Sequence, residues 1–291
     1  MTRTWVAIQR NPNSGTGRKK ARILGLIQAL RRHGIRPRLY SRREQLDEQL
    51  RTEAGREGLL CIVAAGGDGT IADVVNRFPG ITVCPFPLGT ENVLCKYLRI
   101  TDDGEMVAEM IVRHHWREFD LGQINGRRFT MMASAGFDGD VVHRVHQARR
   151  GNITKLAYMK PLWQTTFTYK FPLARVFFDD DPQPVSGSLV MVANLPCYGM
   201  GLRIVPHANG NDGLLDVGVF PEPGSMNLIG YGFDVLAGRQ VQPGHDAVFR
   251  QARKIRLESD SPVPVQIDGD PLGMTPCDIE VVPNAMRLIV P

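Results

Sequence analysis

An uninterrupted apolar run at residues 59–65 leads directly into Gly-Gly-Asp-Gly-Thr at residues 66–70, here termed the glycine-rich turn. A run that is apolar on both faces is typical of a parallel strand covered by helices on both sides. Glycines let the backbone turn sharply and approach a ligand, and the helix expected from near Ile71 would present N–H groups to a phosphate. This feature predicts a parallel α/β sheet with a phosphate site at one strand end.

The first part of the chain repeats this alternation of strands and helices. Strands are expected at residues 5–9, 35–40, 59–65 and 81–86, and helices at residues 18–33 and around Leu46, Leu50 and Ala54, which share one face. Gly34 stands where the C-terminal cap of the first helix belongs. Such alternation indicates an α/β domain with a parallel sheet.

After about residue 115 the pattern changes to closely spaced strands and tight turns. Asn125-Gly126, between residues 117–124 and 127–133, is a strong hairpin signal. Further strands are expected at residues 254–258, 263–268, 278–282 and 286–290. We therefore expect a second, mostly antiparallel domain. Its aromatic segment, residues 153–178, is interpreted either as core packing or as a surface for apolar substrate tails.

Composition excludes several classes of protein. Of the 291 residues, 43 % are hydrophobic, enough to bury two domain cores. No apolar stretch approaches the ~20 residues that span a bilayer, and the N-terminus lacks a signal-peptide core, so we expect a cytoplasmic protein. The five cysteines show no Cys-x-x-Cys spacing, which argues against a zinc or dithiol site.

The net charge of +5 favours anionic partners. Much of the basic excess falls between residues 18 and 43, which is typical of a solvated helix face and would also suit an acidic lipid surface. No nucleic-acid-binding motif accompanies this excess, so no nucleic-acid partner is expected.

Asp68 stands inside the glycine-rich turn. A carboxylate there would repel a phosphate unless it holds Mg²⁺ or takes a proton from an attacking hydroxyl. The alternative is that Asp68 only stabilises the turn through its own backbone. The turn matches neither Gly-x-x-x-x-Gly-Lys-Ser/Thr nor Gly-x-Gly-x-x-Gly, which disfavours a P-loop enzyme and an ordinary dehydrogenase.

Two further loops follow predicted strands. Asn-Pro-Asn-Ser-Gly begins at Asn11, and Pro-Leu-Gly-Thr ends at Thr90. Strand ends of an open α/β sheet lie along one edge, where ligands bind. Taken in this order, the three motifs resemble the diacylglycerol kinase catalytic domain of bacterial lipid kinases, which is shared with sphingosine and ceramide kinases and more distantly with NAD kinases.

The resemblance implies a two-domain fold. Residues 1–122 would form a Rossmann-like, ATP-binding α/β domain, and the strand at residues 286–290 is allowed to return to it. Residues 123–285 would form a β-sandwich that carries substrate and metal sites. The active site would lie in the inter-domain cleft, a common place for pockets.

The same resemblance implies roles for individual residues. Nucleotide contacts would come from eight of them: Asn11, Ser41, Gly66, Gly67, Asp68, Gly69, Thr70 and Thr90. Asp68 would also organise Mg²⁺ and the γ-phosphate. Asp-Gly-Asp-Pro from Asp268 is similar to the family's Asp-Gly-Glu-Pro, so that Asp270 or Asp268 would be the catalytic base. Asp270 is one methylene shorter than glutamate, and Glu91-Asn92-Val93 also departs from the usual pattern.

A structural Mg²⁺ is implied for the segment around Asp-Gly-Leu-Leu-Asp. Its ligands would be the Asp212 side chain and the backbone carbonyls of Asn209 and Leu214, and oxygen ligands of this kind suit Mg²⁺. An ordinary β-turn is the alternative interpretation.

The implied function is an ATP-dependent lipid kinase that acts on diacylglycerol or a sphingoid-like lipid at a membrane surface. A peripheral position on the inner membrane face is left open. Two alternatives stay open at this point. One is an NAD kinase-like enzyme with a soluble substrate, and the other is a non-catalytic nucleotide- or lipid-binding regulator. No stable protein partner is inferred, and a homodimer is left open.

Overall fold

The computed structural model describes residues 4–11, 18–148, 164–166, 168–199, 203–221 and 247–291. The chain divides into two compact units. The N-terminal unit comprises Met1–Phe119 and Ala285–Pro291, and the C-terminal unit comprises Asp120–Asn284. Among the described residues, no helix combines the length and apolarity that crossing a bilayer requires.

The N-terminal unit is a parallel sheet with connecting helices. Its elements are β1 (Trp5–Arg10), α1 (Arg18–Arg32), β2 (Arg36–Tyr40), α2 (Arg43–Leu50), α3 (Glu53–Arg56), β3 (Leu59–Gly66), α4 (Asp68–Arg77), β4 (Val83–Pro87), α5 (Val93–Tyr97) and α6 (Gly104–Arg113). β1 pairs with β2 and β3, and β3 pairs with β4, all in parallel. Leu288, near the end of β16 (Cys277–Ile289), pairs in parallel with Val83 of β4.

Local signals in the sequence explain β3 and the end of α1. β3 is buried from Cys61 to its end, as its continuous apolar run predicted. Gly34 has a φ of +73° and follows α1, and its amide donates to Arg31 O at 3.0 Å. The predicted parallel α/β fold of this part of the chain is confirmed.

Two predicted helix boundaries differ from the structure. α4 begins at Asp68, three residues before Ile71, so Asp68, Gly69 and Thr70 of the glycine-rich turn belong to the first turn of the helix. The helix expected to run through Ala54 ends at Leu50, and Ala54 is exposed on the separate short helix α3. The break has a local cause, because Thr52 Oγ1 accepts a hydrogen bond from Gly55 N and caps α3 as a new start.

The C-terminal unit is built from antiparallel strands. Its elements are β5 (Trp116–Ile124, which begins in the N-terminal unit), β6 (Arg127–Phe129), β7 (Met132–Gly136), α7 (Phe137–Gln147), β8 (Ala174–Phe178), β9 (Val185–Gly187), β10 (Leu189–Ala193), β11 (Leu215–Phe220), β12 (Val248–Ala252), β13 (Lys254–Ser259), β14 (Pro264–Ile267), β15 (Asp270–Met274) and the first part of β16. One set of strands runs β16–β13–β8–β9, and the other sheet runs β12–β11–β10–β7–β14–β15. Val176, Leu257, Val217 and Val265 of the two sets share one core. The predicted β-sandwich is confirmed.

The hairpin signal is confirmed, but its second arm is shorter than expected. Asn125 and Gly126 have φ values of +47° and +84°, as a tight hairpin turn requires. The arm ends at Phe129 and a new strand begins at Met132. The chain leaves the hairpin there because the intervening amides bond to the Asp268 carboxylate instead.

Two predicted strands near the C-terminus form the single strand β16, which continues through Pro283. Asn284 has a φ of +51°, and its amide donates to Asp120 Oδ1 at 2.8 Å. The carboxylate therefore stabilises the irregular point at which two strands were expected to separate.

Part of the aromatic segment lies outside the described residues, including Trp163 and Phe167. Tyr169 and Phe171 pack against Phe137 of α7, with each ring centroid 6.0 Å from that of Phe137. For these two residues, the interpretation as packing agrees with the structure. α7 itself was not anticipated.

Candidate active site

The glycine-rich turn connects β3 to α4 and also holds the loop that follows β4. The amides of Leu88 and Gly89 both donate to Gly66 O, at 2.8 and 3.0 Å. The first N–H groups of an α-helix have no partner within the helix, so the amino end of α4 can bind a phosphate group. These hydrogen bonds join the end of β3 to the loop that follows β4.

The close approach of these loops depends on glycine. A Cβ atom on Gly89 would lie 2.4 Å from Gly67 Cα and 2.6 Å from Asn92 Oδ1. A Cβ atom on Gly66 would lie 2.1 Å from Thr70 Oγ1. These distances are far inside van der Waals contact, so a side chain at either position would push the chain segments apart.

Asp68 bonds through its carboxylate to the start of α5. Oδ2 accepts from Val93 N at 2.9 Å, and Oδ1 accepts from Leu94 N at 3.0 Å. Burial raises the pKa of Asp68, while these two amides and the charge of Lys96 oppose that shift. The side chain therefore braces the loops, and each oxygen keeps another lone pair for a further ligand.

Asn92 also holds the loop after β4 in place. No role for this residue was predicted from the sequence. Its φ is +50°, its Oδ1 accepts from Gly89 N at 2.8 Å, and its Nδ2 donates to Gly89 O at 3.0 Å. Asparagine is enriched in the left-handed region and at helix N-caps. The preference of asparagine for the left-handed region was the available signal, because α5 itself was not predicted.

The other predicted nucleotide residues follow neighbouring strands of the same sheet. Asn11 follows β1 and its amide donates to Ala65 O at 3.4 Å, while Ser41 follows β2 and Thr90 follows β4. Parallel strands end at one edge of a sheet, so the topology places these residues along the edge that carries the glycine-rich turn. Residues 12–15 of the first motif lie outside the described residues.

The segment predicted to bind Mg²⁺, residues 209–214, is anchored in the C-terminal unit by Asp120. The Asp120 amide donates to Gly210 O at 2.6 Å, and its Oδ2 accepts from Gly213 N at 2.8 Å. The Asp120 side chain is buried. The backbone of this segment is therefore held in place from both ends of its turn.

Two carboxylates belong to this segment. Asp212 is exposed, with Oδ1 accepting from Leu214 N at 3.1 Å. Asp216 is buried and its Oδ2 has no hydrogen-bond partner. Burial raises the pKa of Asp216, and the charge of Asp212 raises it further. A buried carboxylate oxygen without a partner beside a second carboxylate suits a cation.

The predicted ligand set fits Mg²⁺ in chemical type. It consists of one carboxylate, from Asp212, and two backbone carbonyls, from Asn209 and Leu214, all of which are oxygen donors. Within the described ranges, no group of three or more His, Cys, Asp and Glu side chains could hold a metal ion. Asp216 was not predicted, although its place two residues after Leu214 in Asp-Gly-Leu-Leu-Asp was visible in the sequence.

The two carboxylates of residues 268–270, here termed the acidic turn, have different surroundings. Asp268 has a φ of +47° and is partly buried. Its Oδ2 accepts from Thr130 N and Oγ1 at 2.7 and 2.8 Å, and its Oδ1 accepts from Met131 N and Met132 N at 2.9 and 3.1 Å. Burial raises the pKa of Asp268, and these four bonds oppose the shift.

Asp270 is half exposed. Its Oδ2 lies 3.3 Å from a guanidinium nitrogen of Arg127, and its Oδ1 lies 3.6 Å from His146 Nε2. Solvent can reach this carboxylate, whereas that of Asp268 accepts four hydrogen bonds. The structure thus separates two residues that the sequence left as alternatives.

Polar side chains of α7 and β14 connect the acidic turn to a buried carboxylate. Gln266 Oε1 accepts from Gly269 N at 2.8 Å, and Gln266 Nε2 donates to Asp138 Oδ2 at 3.1 Å. Asp138 also accepts from Tyr198 OH at 2.7 Å and from Ser134 Oγ. Burial raises the pKa of Asp138, and these bonds oppose the shift. Sequence reasoning did not find this network.

Comparison with solved structures agrees with the fold. A putative diacylglycerol kinase from Bacillus anthracis str. Sterne superimposes with a TM-score of 0.75, covering 100 % of this chain and 98 % of that one at 21 % identity. A second diacylglycerol kinase structure from the same organism gives a TM-score of 0.72 at 19 % identity, covering 100 % of this chain and 97 % of that one.

Curated relatives match over most of their length. A probable lipid kinase YegS-like protein of Pseudomonas aeruginosa is 29 % identical over 246 residues, which are 82 % of this chain and 79 % of the relative. Proteins named diacylglycerol kinase match over 290 residues, or 97 % of this chain. The one from Mycobacterium tuberculosis is 26 % identical over 93 % of its length, and the one from Bacillus subtilis is 23 % identical over 94 %.

Family models cover both parts of the chain. Residues 6–124 match the diacylglycerol kinase catalytic domain. Residues 131–290, more than half of the chain, match the YegS C-terminal NAD kinase beta sandwich-like domain. The resemblance read from the three glycine-containing motifs is therefore confirmed, and the chain belongs to the diacylglycerol kinase family, in the form that carries a YegS-type C-terminal sandwich.

Proposed function

We propose that this protein is an ATP-dependent lipid kinase that transfers the γ-phosphate to a hydroxyl of diacylglycerol or a sphingoid-like lipid. The observation that carries the proposal is the half-exposed Asp270 carboxylate, since an alcohol needs a proton acceptor when it attacks phosphorus. Membership of a kinase family and relatives named diacylglycerol kinase support it.

The nucleotide would bind along the strand ends of the N-terminal unit. Phosphoryl transfer asks a protein mainly for alignment and for neutralisation of developing charge. The glycine-rich turn and the amino end of α4 would hold the phosphates, with Asn11, Ser41 and Thr90 as further contacts. Asp68 would fix the turn on α5 and use its remaining lone pairs to organise Mg²⁺ and the γ-phosphate.

The two carboxylates of the acidic turn would have different roles in phosphoryl transfer. As the lipid oxygen bonds to the γ-phosphorus and the bond to the ADP oxygen breaks, the hydroxyl proton would pass to Asp270. Asp268 would keep the turn in shape through its bonds to residues 130–132. No covalent enzyme intermediate is required.

A structural Mg²⁺ would be held by the Asp212 carboxylate and the carbonyls of Asn209 and Leu214. When bound, the cation would neutralise negative charge and so stabilise a segment that places two carboxylates close together. The same cation would also offset the negative charge of Asp216, whose Oδ2 atom has no hydrogen-bond partner.

Access to a lipid would require transient contact with a membrane surface. Exposed basic side chains of the N-terminal unit supply the attraction to acidic lipids, among them Lys20, Arg31, Arg36 and Arg42. A peripheral location on the inner membrane face and a homodimer both stay proposals.

The direct test is transfer from radiolabelled ATP. Wild-type protein with Mg²⁺ is offered dioctanoylglycerol in mixed micelles, sphingosine, a total lipid extract or NAD. A labelled lipid is the expected product. Label in NAD alone would support the NAD kinase-like alternative. NAD is included because the matched C-terminal domain is described as NAD kinase beta sandwich-like. Nucleotide binding without any labelled product would assign the non-catalytic alternative.

Asp68→Asn is expected to weaken ATP binding about tenfold, because an asparagine offers one acceptor oxygen to the two amides of α5. Isothermal titration with ATP and Mg²⁺ measures the change. The matched control is Asp103→Asn, which alters a carboxylate that caps α6 through Glu105 N. Equal ATP affinities of wild type and Asp68→Asn would remove Asp68 from the site.

Asp212→Ala is expected to abolish the stabilisation by Mg²⁺. In the wild type, Mg²⁺ at ten times its dissociation constant should raise the melting temperature by about 3 °C. Differential scanning calorimetry with and without Mg²⁺ measures this shift, and Asp260→Ala, at an exposed carboxylate, should retain it. A full Mg²⁺ shift in Asp212→Ala would place any stabilising cation elsewhere.

A further inference from the structure

His146, in the last turn of α7, contacts the acidic turn directly. Its Nε2 lies 3.1 Å from Gly269 O and 3.6 Å from Asp270 Oδ1. The ring is largely buried, with 19 % of the side chain exposed. His143, one turn earlier on α7, has its Nε2 3.0 Å from Val265 O. α7 therefore carries two histidines in similar backbone contacts, of which His146 alone also faces Asp270.

We infer that His146 is a positioning residue for Asp270. While the His146 ring is neutral, it holds Asp270 in the orientation that accepts a proton. When the ring is charged, Asp270 becomes a weaker base. The inference rests on the proposed function, because it concerns Asp270 as the proton acceptor in phosphoryl transfer.

The neutral ring acts through the backbone. With the proton on Nε2, the ring donates to Gly269 O and so fixes the peptide that leads into Asp270. Gln266 fixes the other side of the same residue by accepting from Gly269 N. Because Gly269 is a glycine with a φ of +83°, both contacts restrain a link that would otherwise have wide conformational freedom. Asp270 is then presented in one orientation.

The charged ring acts on the carboxylate. A proton on the second ring nitrogen places a positive charge 3.6 Å from Asp270 Oδ1, while Arg127 already lies 3.3 Å from Oδ2. Both oxygens then face a cation, which disfavours uptake of a proton and weakens the base. A lower pH favours protonation of a histidine ring, so transfer should fall as the solution is made more acidic.

Other charged groups around α7 have their own partners. Arg144 pairs with Asp140 on the helix itself, and Asp138 bonds to Ser134, Tyr198 and Gln266. β7 and β14, which pack against α7, contain no charged residue, and β15 contributes Asp270. Thr165 and Tyr169 also pack against α7, on Asp140 and on Phe137. Among the described residues, Asp270 and, through it, Arg127 are the charged groups in contact with the His146 ring.

The test compares pH profiles of transfer from radiolabelled ATP to dioctanoylglycerol for wild type, His146→Gln, His146→Ala and the matched control His143→Gln. Glutamine can donate to Gly269 O but cannot become charged. We expect wild type and His143→Gln to lose about tenfold in kcat between pH 8 and pH 5.5, and His146→Gln to lose less than threefold. His146→Ala should lower kcat at pH 8 with the KM for ATP unchanged, and glutamine should restore it.

A readout that needs no activity separates this inference from the proposed function. Nitrogen-15 NMR of the intact protein should show the Nε2–H form of the His146 ring at pH 8, and Asp270→Asn should alter the ring signals of His146 but not of His143. A wild type that phosphorylates no acceptor would contradict the proposed function, whatever the NMR result. Identical pH profiles for wild type and His146→Gln, or His146 signals that ignore Asp270→Asn, would overturn the inference.

Discussion

Asp270→Asn is expected to lower the rate of phosphoryl transfer by about 100- to 10,000-fold, the range that follows removal of a general base, if Asp270 accepts the proton as proposed. The amide occupies the same volume but cannot take up the hydroxyl proton. The melting temperature should change little, because the Asp270 side chain is half exposed and its ion pairs among the described residues, with Arg127 and His146, are 3.3 and 3.6 Å long. The measurement is kcat with saturating ATP, together with a thermal unfolding scan.

Two companion variants sharpen this result. Asp278→Asn makes the same chemical change at an exposed carboxylate of β16 that pairs with Arg256, and it should leave transfer unchanged. Asp270→Glu restores the family's Asp-Gly-Glu-Pro pattern and should retain transfer, because glutamate keeps the carboxylate and reaches one methylene further. An Asp270→Asn protein with more than a tenth of the wild-type rate would mean that another group accepts the proton.

Asp268→Ala is expected to destabilise the C-terminal unit by about 3–5 kcal/mol, since it removes the common acceptor of four hydrogen bonds and leaves three backbone amides at a partly buried position without it. The backbone adds to this cost, because alanine tolerates the φ of +47° less well than aspartate. Asp268→Asn keeps one acceptor oxygen and should lose less. The free energy of unfolding is followed in urea by signals from the C-terminal unit.

Hydrogen exchange gives a local check on the same prediction. The amides of Met131 and Met132 donate to Asp268 and should exchange much faster in Asp268→Ala. Asp260→Ala removes an exposed carboxylate with 87 % of its side chain accessible, and its stability should stay within about 0.5 kcal/mol of the wild type. If Asp268→Ala were as stable as this control, the four bonds would contribute nothing net to the fold.

Much of the fold was predictable because its signals are local. A few consecutive residues determine the local conformation in three places: the apolar run of β3, the glycine after α1 and the Asn125-Gly126 turn. The same holds for the glycine-rich turn, whose residues pack against their immediate neighbours and the next loop. Order and spacing of such motifs were enough to recognise the family.

Errors in the predicted elements have causes that local patterns do not contain. The second hairpin arm ends early because its amides turn to Asp268, which is 138 positions from Thr130. Asp68 is placed by amides 25 and 26 positions away, so its role as a brace on α5 was not visible in the turn itself. Ala54 is exposed because Thr52 starts a new helix.

By itself, the sequence determined the α/β and antiparallel character of the two parts, the glycine-rich turn and the list of acidic candidates, since each depends on residue type and short-range spacing. It could not rank Asp268 against Asp270, which occupy equivalent places in Asp-Gly-Asp. Only the tertiary structure distinguishes their surroundings, because their hydrogen-bond and ion-pair partners come from distant segments. Amides of residues 130–132 enclose Asp268, whereas Arg127 and His146 flank an Asp270 that solvent still reaches.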